Sequence, residues 1–161
     1  MVSIKLFEQL KKIKLIRRCA LQRKISFDFP IRFNIEPTNY CNLRCSMCPR
    51  ELNRPLGYMD VALFEKIIDE SVLSGRRLII TLNKDGEPLL HPELPKMIKY
   101  AKEEKAAYKI NFYTNGILLT EIKSLELMKS GLDTIHISID AFTKETYKKI
   151  KNSQMLEVVE E

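Results

Sequence analysis

No stretch of the sequence is apolar over the roughly 20 residues that a helix needs to cross a bilayer. The N-terminus also lacks an apolar block followed by a small-residue cleavage site, so we expect neither a membrane span nor a secretory signal. The composition is not that of a disordered chain, because 45% of the 161 residues are hydrophobic and 30% are charged. We therefore expect one folded domain of ordinary size in the cytoplasm.

The basic character of the chain is concentrated at its N-terminus. Residues 1–24 contain eight basic residues and one acidic residue, Glu8, so this segment has a net charge of +7. The rest of the chain sums to −1, which gives the whole chain its net charge of +6. Nucleic-acid-binding domains usually spread their basic residues over a docking surface, so no nucleic-acid partner is indicated. Apolar residues at helical spacing predict a basic amphipathic helix over residues 1–28. It either lies on an anionic membrane surface, docks on a protein partner or packs on the rest of the molecule, and we favour the last.

Strand and helix patterns alternate from Ile31 onward. The predicted strands cover about 31–36, 78–82, 108–113 and 134–139, and the predicted helices cover about 60–74, 93–106 and 121–130, with one more opening at Thr143. Asp60 can cap the first of these helices, whose apolar face we assign to Leu63, Phe64, Ile67 and Ile68. Four strand–helix units in succession predict an α/β fold with a parallel sheet.

The unusual residues of this repeat follow the strands. Three cysteines follow the first strand, a Gly-Glu-Pro turn at 86–88 follows the second, Asn115-Gly116 follows the third and Asp140 follows the fourth. The loops at the carboxyl ends of parallel strands form one rim, where the active sites of such sheets collect. The sequence therefore predicts a single site on that rim.

The cysteines point to a metal centre. The chain has four cysteines, and three of them, Cys41, Cys45 and Cys48, have the spacing CxxxCxxC. A [4Fe–4S] cluster normally takes four thiolates, so three leave one iron open to another ligand. A structural zinc site is the alternative, and it would need Cys19, His91 or His136 as a fourth ligand. We assign no ligand role to these three residues, and we assign Tyr113 to strand packing.

The segment from Ile35 to Arg50, IEPTNYCNLRCSMCPR, resembles the cluster loop of the radical S-adenosylmethionine (radical SAM) superfamily. It is closest to the branch that includes molybdenum-cofactor-biosynthesis and SPASM-type peptide-modifying members. The resemblance extends over about 31–150 and implies a partial (β/α) barrel. It also implies that Cys41, Cys45 and Cys48 bind a [4Fe–4S] cluster and that SAM binds the open iron. Reductive cleavage of SAM would then give a 5′-deoxyadenosyl radical that abstracts hydrogen from a substrate, which the sequence does not identify.

The resemblance further implies five SAM-binding residues. Gly86 and Glu87 correspond to a GGEP motif in which Asp85 replaces the first glycine, and Met47 corresponds to a residue near adenine. Ser138 and Asp140 correspond to contacts with the ribose.

The resemblance also bears on partners and completeness. It implies an electron donor of the flavodoxin or ferredoxin kind. The family core usually has six βα units, so we expect residues 29–161 to be the N-terminal part of a core truncated after the fourth unit. A non-catalytic iron–sulfur-binding remnant or partner module is the alternative function, and a structural zinc protein is a further one.

Overall fold

The computed structural model describes residues 29–50 and 53–160. The amphipathic helix expected over residues 1–28, together with Cys19, lies outside the described residues.

The described part alternates strands and helices as the sequence predicts. In chain order the elements are β1 (Arg32–Ile35), α1 (Val61–Leu73), β2 (Leu78–Leu82), a 3-10 helix (Pro88–Leu90), α2 (Leu94–Glu103), β3 (Ala107–Thr114), α3 (Glu121–Lys129), β4 (Thr134–Ile137), α4 (Lys144–Lys151) and α5 (Leu156–Glu160). The 3-10 helix and α5 were not expected from the sequence. No helix among the described residues is long and apolar enough to cross a membrane.

The strands form one parallel sheet in the order β1-β2-β3-β4. Each strand pairs with the next one along the chain, and each connection contains a helix. This is the predicted α/β fold, and it places the carboxyl ends of all four strands along the same edge.

The two faces of the sheet differ in polarity. On one face Ile80 and Leu82 of β2 and Phe112 of β3 are fully buried, and Phe64 and Met97 from α1 and α2 are also part of the core. The opposite face carries polar side chains at alternating positions, and these side chains line a second cavity. If both faces of the sheet were covered by apolar residues, the strand sequences would instead be nearly continuous apolar runs.

Local signals fixed most helix starts. The Asp60 carboxylate accepts a hydrogen bond from the Ala62 amide at 2.6 Å, so Asp60 caps α1 as predicted.

The predicted apolar face of α1 was partly wrong, because Leu63 is 51% exposed. The buried stripe is instead Phe64, Ile68 and Ser71, whose i, i+4, i+7 spacing keeps them on one side of the helix.

Two elements end two or more residues earlier than predicted. Helix α2 stops at Glu103 because Lys105 adopts a left-handed conformation (φ 55°) and the chain turns into β3. Strand β4 stops at Ile137 because β3 ends at Thr114, whose carbonyl accepts a last hydrogen bond from the Ser138 amide at 2.8 Å. Asp140 then turns the chain away with a φ of 57°.

Candidate functional site

A cavity of about 180 Å³ lies at the carboxyl edge of the sheet, where the loops after all four strands meet. Cys41, Cys45 and Cys48 line it. The remaining wall comes from Leu43, from the end of β3 and from the loops after β2, β3 and β4, and it includes Asn83, Asp85, Gly86, Glu87, Tyr113, Thr114, Asn115 and Ser138. The structure therefore brings together six of the eight predicted site residues. Met47, which is 52% exposed, and Asp140 are outside this wall.

The cysteine loop is held at both ends by hydrogen bonds. At its start, the Thr38 hydroxyl donates to the Gly57 carbonyl at 2.8 Å, and the Asn39 side chain accepts from the Gly57 amide at 2.7 Å. Further along, the Ser46 amide donates to the carbonyl of Ile150 at 2.8 Å, which attaches the loop to the end of α4. These contacts give an irregular loop a defined path between distant parts of the chain.

The three thiols differ in their surroundings. Cys41 and Cys45 are half-buried, whereas Cys48 is exposed. Burial raises the pKa of Cys41, and burial also raises the pKa of Cys45 although the Lys151 ammonium opposes that shift. Iron binding needs the thiolate, so loading this site requires loss of protons from groups that hold them more tightly than an exposed cysteine does.

This difference predicts an order of alkylation in the reduced, metal-free protein. Cys48 is expected to react with iodoacetamide roughly tenfold faster than Cys41 near pH 8, because Cys41 is less accessible and burial raises its pKa. The raised pKa of Cys41 also means that its rate keeps rising above its ordinary pKa of 9.0. A time course of peptide mass spectra measures both rates. Equal rates at the two cysteines would contradict this arrangement.

The thiols do not converge on a point. Among the described residues, no three His, Cys, Asp or Glu side chains are grouped so that they could hold one metal ion. The three cysteines instead lie around one cavity. His91 is engaged elsewhere, with its Nε2 3.0 Å from the Met59 carbonyl and its Nδ1 accepting from the Glu93 amide at 3.2 Å. His136 stacks on Tyr113 with ring centroids 4.5 Å apart.

Gly86 allows the loop after β2 to lie directly on the cysteine loop. A Cβ atom at this position would be 1.9 Å from the Thr38 carbonyl oxygen and 2.8 Å from that of Tyr40. The next amide, of Glu87, donates to the Tyr40 carbonyl at 2.7 Å. The close approach that requires glycine here is therefore an approach to the chain's own backbone.

Glu87 connects three loops from a buried position. It is 2% exposed, and its carboxylate accepts hydrogen bonds from the Thr114 hydroxyl at 2.7 Å and the Asn115 amide at 2.8 Å. The Asn115 side chain in turn donates to the Asn42 side chain at 2.8 Å, inside the cysteine loop. Burial raises the pKa of Glu87, and these hydrogen bonds oppose the rise. Both carboxylate oxygens serve to join the rim loops.

Helix α4 places further polar groups beside Cys45 that sequence reasoning missed. The Lys151 side chain is only 4% exposed, and its ammonium pairs with the Asp140 carboxylate at 2.5 Å. Tyr147, one helical turn earlier, is fully buried, and its hydroxyl has no hydrogen-bond partner among the described residues. Burial raises the pKa of Tyr147, and the negative charges at Cys45 and Asp140 add to that shift. The i, i+4 spacing of Tyr147 and Lys151 in a helix just after β4 was the available signal.

Tyr113 was expected to be strand packing, and it does pack across the strands on its register partner His136, but it also faces the cysteine cavity. It is 48% exposed.

Comparison with known proteins agrees with this arrangement. A family model described as the radical SAM superfamily matches residues 35–161. The chain belongs to the radical SAM superfamily. Members of this superfamily use a [4Fe–4S] cluster and SAM, and their chemistry requires a substrate and a reductant.

Two radical SAM relatives show how much of the family's length is present. A tungsten-containing aldehyde ferredoxin oxidoreductase cofactor-modifying protein of Pyrococcus furiosus is 36% identical over 107 residues, which are 66% of this chain and 30% of the relative. A probable GTP 3',8-cyclase of Methanococcus maripaludis is 37% identical over 129 residues, 79% of this chain and 42% of the relative. The chain thus spans less than half the length of these curated relatives.

A solved structure confirms the fold. Streptococcus suis SuiB bound to S-adenosylmethionine superposes with a TM-score of 0.63 at 21% identity, covering 94% of this chain and 35% of SuiB. The predicted family and the predicted fold class, a partial barrel of radical SAM type, are both confirmed.

Proposed function

We propose that Cys41, Cys45 and Cys48 hold a [4Fe–4S] cluster, that SAM binds its fourth iron, and that the chain performs the reductive cleavage of SAM for a radical SAM enzyme. The observation that supports this most directly is the single cavity that these three cysteines share with the loops after β2, β3 and β4.

The arrangement of the thiols fits a cluster. Each thiolate of a cubane cluster binds a different iron atom, so the three side chains need to surround a volume and need not converge on one point. When bound, the cluster supplies the electron that breaks the bond between the SAM sulfur and the ribose 5′ carbon. The chain's own contribution is to hold the thiols, to position SAM and to limit access of water.

The other predicted residues divide into two roles. We propose that Ser138 and the backbone at Gly86 contact SAM, because both line the cysteine cavity. Glu87 acts mainly as a positioning residue, since its oxygens bind the Thr114 and Asn115 groups. Met47 is exposed and available to cover adenine. The Asp140 side chain is 46% exposed, so its carboxylate can still accept hydrogen bonds from ribose hydroxyls while it pairs with Lys151.

Anaerobic reconstitution with iron and sulfide tests this function. The reconstituted chain is expected to show the electron paramagnetic resonance spectrum of a reduced [4Fe–4S] cluster, and SAM is expected to change that spectrum through the open iron. Dithionite and SAM together should then give 5′-deoxyadenosine, measured by chromatography. If SAM does not change the spectrum of the cluster, the chain is a non-catalytic iron–sulfur module. If the anaerobically purified chain contains zinc and no iron, it is a structural zinc protein.

The cellular setting follows from this chemistry. We propose that the chain works in the cytoplasm, where reducing conditions keep clustered thiols available for iron. A flavodoxin- or ferredoxin-like protein is the proposed electron donor. Residues 1–28 are proposed to be a basic helical extension, and residues 29–161 to be the radical SAM core.

A further inference from the structure

The sheet face opposite the helices forms a second cavity of about 480 Å³. Tyr113 lines both this cavity and the cysteine cavity. Strand register arranges the side chains on this face in three rows that run across the sheet, and each row has a different chemistry.

The row next to the cysteine cavity is aromatic. Tyr113 and His136 are paired in register on β3 and β4, and their rings stack with centroids 4.5 Å apart. Since Tyr113 also lines the cysteine cavity, this row is the end of the sheet face nearest the cysteines.

The middle row is neutral and polar. Asn34, Thr81, Asn111 and Thr134 are register partners across the four strands. The Thr81 hydroxyl donates to the Asn111 side-chain oxygen at 3.2 Å, while Asn34 forms no side-chain hydrogen bond with a described residue. This row offers amide and hydroxyl groups to a ligand that can form hydrogen bonds.

The row farthest from the cysteines is cationic. Arg32 and Lys109 flank Ile79 on neighbouring strands, so their backbones are about 10 Å apart. Neither forms an ion pair within the described ranges, and no carboxylate lines this cavity. Asp133 acts electrostatically on Lys109, but its carboxylate is already bound at 2.6 Å by both the Lys102 ammonium and the Ile110 amide.

We infer that this face binds the substrate, and that the substrate is a small organic anion whose phosphate or carboxylate group lies between Arg32 and Lys109. This inference rests on the proposed function, which makes the aromatic row the end nearest the chemistry. Lys109 and Tyr113 are four positions apart on β3, so the anionic group lies about 13 Å from the reacting end of the molecule. Two long cationic side chains without a protein carboxylate are suited to bind such a group by charge-assisted hydrogen bonds.

Binding of simple anions to the full chain tests the inference. Inorganic pyrophosphate and citrate, titrated separately by calorimetry at low salt, represent the phosphate and carboxylate cases. The wild-type chain is expected to bind one of them better than the other, which identifies the class. The double variant R32Q/K109Q is expected to lose about 100-fold in affinity, one factor of ten for each cation.

Two further double variants distinguish a specific anion site from non-specific electrostatic attraction of anions to a basic chain. K11Q/K12Q removes the same charge from the basic N-terminal segment and should bind the anion as the wild type does. R32K/K109R keeps both charges and should retain most of the affinity, which guards against a loss caused by unfolding. The inference is overturned if neither anion binds the wild type, or if R32Q/K109Q and K11Q/K12Q lose affinity equally.

The same preparations distinguish this inference from the proposed function. R32Q/K109Q should still assemble a cluster whose spectrum responds to SAM, because neither residue lines the cysteine cavity. A SAM-responsive wild-type chain that binds neither anion would overturn the substrate class alone. Anion binding by a chain that takes up no iron would overturn the proposed function and leave an anion site that is not the substrate site of a radical SAM reaction.

Discussion

A chain carrying Cys45→Ser is expected to retain at most about a tenth of the iron and sulfide that the wild type takes up on anaerobic reconstitution. Only two thiolates would remain around the cavity, and a hydroxyl is a much poorer ligand for an iron–sulfur cluster than a thiolate is. The half-buried position of Cys45 leaves little room for another donor to replace it. Iron and sulfide assays, together with the visible absorbance of the cluster, measure the loss.

Cys19→Ser is the matched control, because it makes the same chemical change at the cysteine that has no role in the proposed cluster. It should reconstitute as the wild type does. Full loading of Cys45→Ser, or equal losses in the two variants, would show that the cluster loop has been assigned incorrectly.

Gly86→Ala is expected to have a comparably large effect on loading for a different reason. The added methyl group would overlap the Thr38 carbonyl oxygen, which is backbone and cannot move aside as a flexible side chain can. Separating the two loops would break the hydrogen bond from the Glu87 amide to Tyr40 and displace the start of the cysteine loop. We expect a loss of about 3 kcal/mol in unfolding free energy and a Tm lower by about 10 °C. Cluster loading should fall with it.

Gly57→Ala supplies the control within the same region. A Cβ at Gly57 would meet no atom within 4 Å, and the hydrogen bonds of its backbone to Thr38 and Asn39 do not depend on glycine. Its Tm and iron content should match those of the wild type. If Gly86→Ala melts and loads iron as Gly57→Ala does, the close contact between the two loops is not required.

The parts of the fold that local patterns specify were predictable. Strand β2 matches its apolar run from Leu78 to Leu82, and Asp60 caps α1, because both signals act within a few residues. Leu63 was wrongly assigned to the buried face of α1 because its burial depends on distant parts of the chain. Periodicity shows that a helix has an apolar side, but the neighbouring elements decide which residues of that side are covered, and here they cover Ser71 instead.

The cysteines of the site could be predicted from the sequence, but the roles of the residues that support them could not. Spacing alone identified Cys41, Cys45 and Cys48 as a group. The role of Glu87 depends on Thr114 and Asn115, which are 27 and 28 positions away, and nothing in the sequence near Glu87 specifies those partners. The placement of Lys151 beside Cys45 depends in the same way on how α4 packs against the loop.

The hydrogen bonds between Ser46 and the Ile150 carbonyl have a consequence for the order of events during synthesis. Their two ends are 104 positions apart in the chain. At translation speeds of roughly 5 to 20 residues per second, the cysteine loop leaves the ribosome about 5 to 20 seconds before the end of α4 has been made. The nascent protein therefore carries its thiols through that interval without the distal anchor of the loop, so the site is complete for iron delivery only after residue 150 has emerged.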